Sequence, residues 1–300
     1  MKITTPGKIA QELYLLGNIA YPSFLINTDE PVLFDAGVSP MGPFYLNDLK
    51  GLSDIPDLKR MFFTHSHYDH TGAYGYLKKC FPGMDAGAHP RAGEVMLSAS
   101  AVNTMTTLSN IARNMFHDDS PDTAFVPPEI TVPLKEGDVL ELGRGIRATV
   151  LETPGHTRDS ISFFLEPMDA LIPGEALGVI HLNDEIFPEF LADFQAYHDS
   201  VKKLIDTRPN MVLMPHGCSL TREDAEAFVN GAIPATLSWM DMISGSLKES
   251  GGDIDLSTED LFSRIYDPLV IGQEVNAFRI NLRAKVACIS RVITSDHHEI

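Results

Sequence analysis

The chain has 300 residues, 44% hydrophobic and 21% charged, with a formal net charge of -18 at pH 7; this suits one large α/β domain, or a domain of about 200 residues with an appendage, and no stretch approaches the ~18 uninterrupted apolar residues of a membrane span. The acidic surplus, with no Lys/Arg run, speaks against nucleic acid and for a small-molecule substrate. Cys80, Cys218 and Cys288 are odd in number and far apart, which excludes a disulfide framework, and residues 1–17 lack a secretory apolar block, so a cytoplasmic protein is expected.

Along residues 13–38 the pattern predicts an antiparallel meander: Leu13-Tyr14-Leu15-Leu16, Ser23-Phe24-Leu25-Ile26 and Val32-Leu33-Phe34, with a turn at 27–31 closed by Pro31. A strand at 60–63 runs straight into a polar segment, and a helix begins near Thr71. Between 94 and 116 apolar spacing suggests helix, interrupted by an irregular stretch where Ser, Thr and Asn concentrate. Strands are predicted at 129–132, 138–142, 147–151, 160–165 and 170–172, then a helix at 193–206 and a strand at 211–214.

Beyond Thr221 the chain reads as helix only. Segments 224–230 and 234–249 are amphipathic, with Pro234 suited to a first turn and Gly251-Gly252 to a stop. Ser257 with Asp260 resembles a capping box for a short third helix ending near Pro268, and Val275, Phe278, Leu282, Val286, Ile289 and Ile293 form the stripe of a last one. Residues 1–220 are therefore expected to form a catalytic domain and 221–300 a helical extension packed on it, with His297-His298 in a disordered tail.

The chemistry concentrates at Thr64-His65-Ser66-His67-Tyr68-Asp69-His70-Thr71-Gly72, three imidazoles and a carboxylate within six residues on a strand-to-helix loop. A strand would alternate these side chains between faces and a helix would scatter them; a turning loop can converge them. Nitrogen and carboxylate donors without clustered thiolates suit Zn²⁺, Fe or Mn²⁺.

This segment resembles the signature of the metallo-β-lactamase superfamily, and three more segments fit that family in order. Leu33-Phe34-Asp35-Ala36-Gly37 is similar to its early Asp-x-Gly, whose aspartate braces the histidine loop; Thr153-Pro154-Gly155-His156-Thr157 looks like the next motif; and Pro215-His216-Gly217 matches the last. Where the family usually has a bridging aspartate, this chain has Glu175 in Ile172-Pro173-Gly174-Glu175-Ala176-Leu177, which keeps the charge but adds a methylene. The resemblance implies a four-layer αβ/βα sandwich of mixed sheets with a C-terminal all-helical extension. It implies two divalent metal ions, zinc by default and iron or manganese as alternatives. His65, His67 and His156 would hold one, Asp69, His70 and His216 the other, with Glu175 between them. A narrower likeness, carried by Gly174-Glu175-Ala176-Leu177-Gly178, the helix after Phe194 and the closing helices, is to the quinolone-signal response thioesterase-like members with a helical cap.

By that resemblance the expected activity is a dinuclear hydrolase using a metal-bound hydroxide on a small ester, thioester or lactone, with Asp69 as the catalytic proton shuttle. Phosphodiester hydrolysis and a non-catalytic regulatory role on the same fold are the alternatives. No membrane partner is expected, and a homodimer stays open. His89, His117, His181 and His198 are read as satisfied or surface histidines, with His181 the nearest to a pocket role; Cys218 is read as small-core packing, and Arg279 and Arg283 as solvated.

Overall fold

Residues 13–17 place Leu13 and Leu15 on one side of their strand and Leu16 on the other, and both sides are buried. The same holds for the strands Pro22–Ile26 and Val32–Phe34, whose Phe24, Ile26, Val32 and Phe34 face one core while Leu25 and Leu33 face another. A sheet buried on both faces must be an inner layer. The computed structural model, which describes residues 1–52 and 57–296, contains two such sheets of seven strands each and a small hairpin, Val179–Ile180 with Ile186–Phe187.

The first sheet runs Gly7–Ala10, Leu13–Gly17, Pro22–Ile26, Val32–Phe34, Arg60–Phe62, Asp85–Ala88 and Val132–Pro133 in spatial as in chain order. The second runs Lys2–Ile3, Ser219–Thr221, Met211–Val212, Ala170–Ile172, Ile161–Glu166, Arg147–Glu152 and Val139–Glu141. Phe24, Phe34 and Phe62 of the first meet Val150, Phe163 and Ile172 of the second in the central core, where the Phe34 and Phe163 rings lie edge to face with centroids 4.9 Å apart. Helices Gly42–Lys50 and Tyr74–Cys80 cover the outer face of the first sheet through Tyr45, Leu49 and Leu77. Helices Phe194–Asp206, Glu223–Glu249, Ile254–Ile265 and Val275–Asp296 cover that of the second, so the closing helices share one core with Leu171, Val212 and Leu220. Among the described residues no helix is long and apolar enough to cross a membrane.

The topology fixes where function can sit. Val32–Phe34, Arg60–Phe62 and Asp85–Ala88 are parallel, as are Ala170–Ile172 and Met211–Val212, so each group sends its following loops to one edge. The Ile161 N–H donates to the Thr64 carbonyl at 2.8 Å and joins the two sheets there. Loops beyond the carboxyl ends of parallel strands have no ladder partners and are free to carry chemistry.

Several local expectations differ from the structure. The Ser/Thr/Asn-rich stretch is not irregular: it forms the helix Ala99–Met115, capped by Ser98, and Thr104, Thr106 and Thr107 donate their hydroxyls to carbonyls four residues back. Those bonds satisfy inside a helix the groups that otherwise favour loops. Residues 223–249 are one helix with Pro234 inside it, not two. Interior proline costs about 3 kcal/mol, and the unbroken buried stripe of Phe228, Ala232, Trp239, Ile243 and Leu247 offsets it. The third helix starts earlier, at Ile254, with Asp253 rather than Ser257 accepting the capping N–H. Residues 129–131 precede their strand instead of forming it. Arg279 and Arg283 lie on the surface as expected, where they pair with Glu259 and Asp255 of the neighbouring helix, and Arg279 also covers the Phe262 ring. His297 and His298 lie outside the described residues.

Gly155 shows how tightly one loop is placed. It sits at φ +133°, its carbonyl accepts the N–H groups of Ala192 and Asp193 at 3.0 and 3.1 Å, and a Cβ there would strike the Tyr197 backbone. Gly155→Ala should therefore lower the unfolding free energy by about 2 kcal/mol or more, measured by urea denaturation; an unchanged midpoint would show that the loop and the helix Phe194–Asp206 can separate without cost.

Candidate metal centre

Loop geometry at the sheet edge begins with Asp35, held in the left-handed region at φ +56°. Its carboxylate accepts the Thr64 N–H at 2.8 Å, the Thr64 hydroxyl at 2.9 Å and His70 Nδ1 at 2.9 Å. Ala36 and Gly37 stitch the same loop to residues 70–73 through backbone hydrogen bonds, and Gly72 lies so close to Ser39 N and Gly37 O that a Cβ would not fit. The short helix Tyr68–Thr71 then turns Asp69 and His70 back toward His65, which the straight path of the strand could not do. Asp159 completes the brace by accepting the Ser66 N–H at 2.8 Å.

All seven residues singled out from the sequence come together at this edge. His65, His67, His156 and Glu175 each offer one donor atom within 4.8 Å of the others, and so do Asp69, His70 and His216. His67 Nδ1 and His156 Nε2 are 3.1 Å apart, Glu175 Oε2 is 2.5 Å from His156 Nε2, and Glu175 Oε1 is 3.4 Å from His216 Nε2. The extra methylene of Glu175 therefore lets its two oxygens face the two groups. Asp69 Oδ2 lies 3.7 Å from His216 Nε2. His89, His117, His181, His198 and Cys218 belong to neither group among the described residues, and His89 instead caps the helix Pro90–Leu97.

Four of the five outward ring nitrogens are occupied, that of His70 by Asp35. His156 Nδ1 donates to the Glu189 carbonyl at 2.7 Å, His216 Nδ1 donates to the Ala20 carbonyl at 2.6 Å, and His65 Nδ1 meets the Thr64 hydroxyl at 3.1 Å. Such bonds fix the tautomer and turn the opposite nitrogen inward. Inward, His65 Nε2 and His70 Nε2 are buried and have no hydrogen-bond partner among the described residues. A buried nitrogen left unpaired costs about 1–3 kcal/mol, and a divalent cation with an N/O preference satisfies several of them at once.

Electrostatics point the same way. Burial, then the neighbouring imidazoles, hold His65 well below its ordinary pKa and His67 at about 4, so both are neutral and ready to ligate. Burial also opposes charge on His156 and His216, but the Glu175 carboxylate outweighs it, raising His156 and bringing His216 to about 9; Glu175 itself is driven well below its usual range despite its burial. Without a cation the site is thus held by proton-mediated pairs around Glu175.

Sequence reasoning missed three contributors. Glu189 orients His156 through its backbone, and its side chain pairs with Lys285 at 2.8 Å; both residues are buried, at 5% and 2% exposure. A glutamate in a Pro-Glu-Phe loop and a lysine in an amphipathic helix carry no local sign of burial. Tyr21 stands edge-on to His216, with centroids 5.9 Å apart, and burial pushes its hydroxyl up to about 12. The centre opens into a cavity of about 310 Å³ lined by Tyr21, Tyr68, Ile111, Met115, Ile180 and Ile280 among others, and His181 lines it too.

Cation binding must displace the protons on His156 and His216. His216, raised above its ordinary 6.5, stabilises the metal-free fold fully below that pH and loses the contribution as pH climbs through about 9. Metal uptake at pH 7.5 should release at least the His216 proton, read as buffer-dependent heat in titration calorimetry, and the melting temperature of the metal-free protein should fall between pH 6.5 and 9. Heat independent of the buffer would contradict this. Asp35→Asn should weaken metal binding by roughly 10–100-fold, measured by competition with a chromophoric chelator.

The profile described as Metallo-beta-lactamase superfamily matches residues 17–216. A metallo-beta-lactamase fold-containing protein of Sulfurisphaera tokodaii is 25% identical over 195 residues, which covers 62% of this chain and 68% of that one. A hydroxyacylglutathione hydrolase of Rhodopseudomonas palustris is 27% identical over 120 residues, but these span only 40% of this chain and 34% of the relative. Among solved structures, a metallo-beta-lactamase family protein of Thermus thermophilus superposes with a TM-score of 0.68 at 18% identity, over 95% of this chain and 94% of the other, a likeness of fold that includes the closing helices. The profile spans most of the chain and ends on His216, and the folds agree: this chain belongs to the metallo-β-lactamase superfamily.

Proposed function

We propose that this metallo-β-lactamase-fold hydrolase cleaves a small ester, thioester or lactone at two divalent cations, zinc by default. His65, His67 and His156 would hold one cation and Asp69, His70 and His216 the other, with Glu175 between them. The observation that carries the reading is the reach of Glu175, whose Oε2 and Oε1 lie 2.5 and 3.4 Å from histidines of the two groups. Paired cations supply Lewis acidity and bring the pKa of a bound water from 15.7 toward about 7.

The chain's own groups do the rest. Asp69 stands at the cavity, 20% exposed at its side chain, where its carboxylate can take the proton of the attacking water at Oδ1 and return it to the leaving group. The apolar walls, with Leu108, Ile111 and Met115 on one helix and Ala277 and Ile280 on another, exclude water and seat a hydrocarbon portion. The cavity residues include no Lys or Arg, while Asp69, Glu175, Glu189 and Glu274 are acidic, an arrangement that suits a neutral acyl compound better than a phosphodiester. The R. palustris relative is named a hydroxyacylglutathione hydrolase, which is consistent with acyl chemistry on this fold.

Metal-loaded protein is expected to hydrolyse members of a panel of short-chain thioesters, aryl esters and lactones, and to leave bis(p-nitrophenyl) phosphate nearly untouched. Turnover of the phosphodiester alone would replace this reading with the other. Asp69→Asn, assayed at saturating metal with bound ions counted in parallel, should lower kcat by about 10²–10⁴-fold beyond any loss of ions, measured with the best ester; loss below tenfold with both ions bound would remove Asp69 from proton transfer.

A further inference from the structure

The helix Val275–Asp296 sends a charged side chain into the interior beside the metal centre. Lys285 is 2% exposed; its ammonium lies 2.8 Å from Glu189 Oε1 and 4.8 Å from the centroid of Trp239, the single tryptophan of the chain. Burying such a pair is expensive unless the remaining lone pairs and protons are also satisfied. They are not. The second carboxylate oxygen, Glu189 Oε2, is buried with no hydrogen-bond partner among the described residues, and Glu189 lines the same cavity that contains Asp69, Glu175 and His216.

A structural strut would use both carboxylate oxygens. A carboxylate anchored through one oxygen, neutralised by an interior lysine and placed on the wall of a cavity has the form of a fixed acceptor waiting for a donor. The local charge says which kind. Lys285 cancels Glu189, and two divalent cations would balance Asp35, Asp69, Glu175 and Glu274, leaving surroundings near neutral, which give an incoming ammonium no net attraction and suit a neutral O–H or N–H. The other polar side chain deep on this wall, His181, is packed edge-on against Phe187 at 4.2 Å and is kept neutral by burial and by Lys285.

Resting on the acyl-hydrolase reading, we propose that Glu189, held by Lys285, is a specificity-determining acceptor: the substrate is a small apolar acyl compound carrying a neutral hydroxyl or N–H donor on its acyl part, and Glu189 Oε2 accepts that donor. The C-terminal helix thereby selects the substrate without touching the reacting carbonyl. A site built to pair a donor rejects the analogue lacking it, because a buried oxygen is left unsatisfied.

Product-type carboxylates test this without turnover. Butyrate and its 2-, 3- and 4-hydroxy derivatives are titrated into the metal-loaded protein by calorimetry, with Trp239 fluorescence as a second readout. At least one hydroxy isomer should bind about tenfold tighter than butyrate, the equivalent of ~1.4 kcal/mol. In the Glu189→Met/Lys285→Met double variant, which removes the pair but keeps the backbone carbonyl that orients His156, that preference should fall to within about twofold while two ions per chain are retained. In Glu189→Gln, which can turn an amide N–H toward the cavity, it should fall at least as far, and this variant decides the matter if the double variant does not fold. No discrimination by the wild type, or discrimination that survives both variants, overturns the proposal. If discrimination is present and lost as expected but no ester, thioester or lactone is hydrolysed, the acceptor stands and the hydrolase reading falls; the reverse pattern sinks the acceptor alone.

Discussion

Everything at this site depends on one constraint: five imidazoles packed at one buried sheet edge cannot all satisfy their inward nitrogens with one another. Four of the five histidines commit their outward nitrogen to a fixed oxygen of the protein, and His65 and His70 are left with buried inward nitrogens that have no hydrogen-bond partner among the described residues. Burial and the neighbouring rings hold His65 and His67 in the neutral form, with their lone pairs available. A cation would meet both demands, and the carboxylates of Glu175 and Asp69 would offset its charge.

The fold exists to bring that constraint about. Two sheets pressed together by Phe24, Phe34, Phe62 and Phe163 set their parallel strands to end at one edge, so segments as distant in the chain as 64–70, 153–157, 173–176 and 213–217 arrive at a common point. Close approaches at Gly72 and Gly155 then remove the slack from two of those loops. Precision at the site is thus bought by burial elsewhere: each large side chain fully enclosed between the sheets contributes about 1.5–3 kcal/mol, enough collectively to hold loops in conformations they would not adopt alone.

How much of this was legible depends on how far apart the evidence lies in the chain. The His65 to His70 cluster announces itself because four donors fall within one loop, and Asp35 was placed correctly because it directly ends a hydrophobic strand. His156, Glu175 and His216 each look like ordinary turn residues; only their order relative to the first cluster gave them meaning. The Glu189–Lys285 pair was invisible, since a buried charge differs from a solvated one only by what folds over it, and that comes from a helix 96 positions away. The helix Ala99–Met115 was misread for a related reason: Ser, Thr and Asn favour loops by bonding to the backbone, and here the threonine hydroxyls make those bonds within the helix itself. The helices after Arg222 were found from their apolar stripes, but Pro234 suggested a break that tertiary packing overrides.

The most direct test of the central claim is a crystal structure of protein grown with zinc, with anomalous scattering collected on both sides of the zinc edge. Two anomalous peaks are expected at the sheet edge, one touching His65, His67 and His156 and the other touching Asp69, His70 and His216, with one oxygen of Glu175 directed to each. A single peak, or peaks from which His156 or His216 has turned away, would contradict the account.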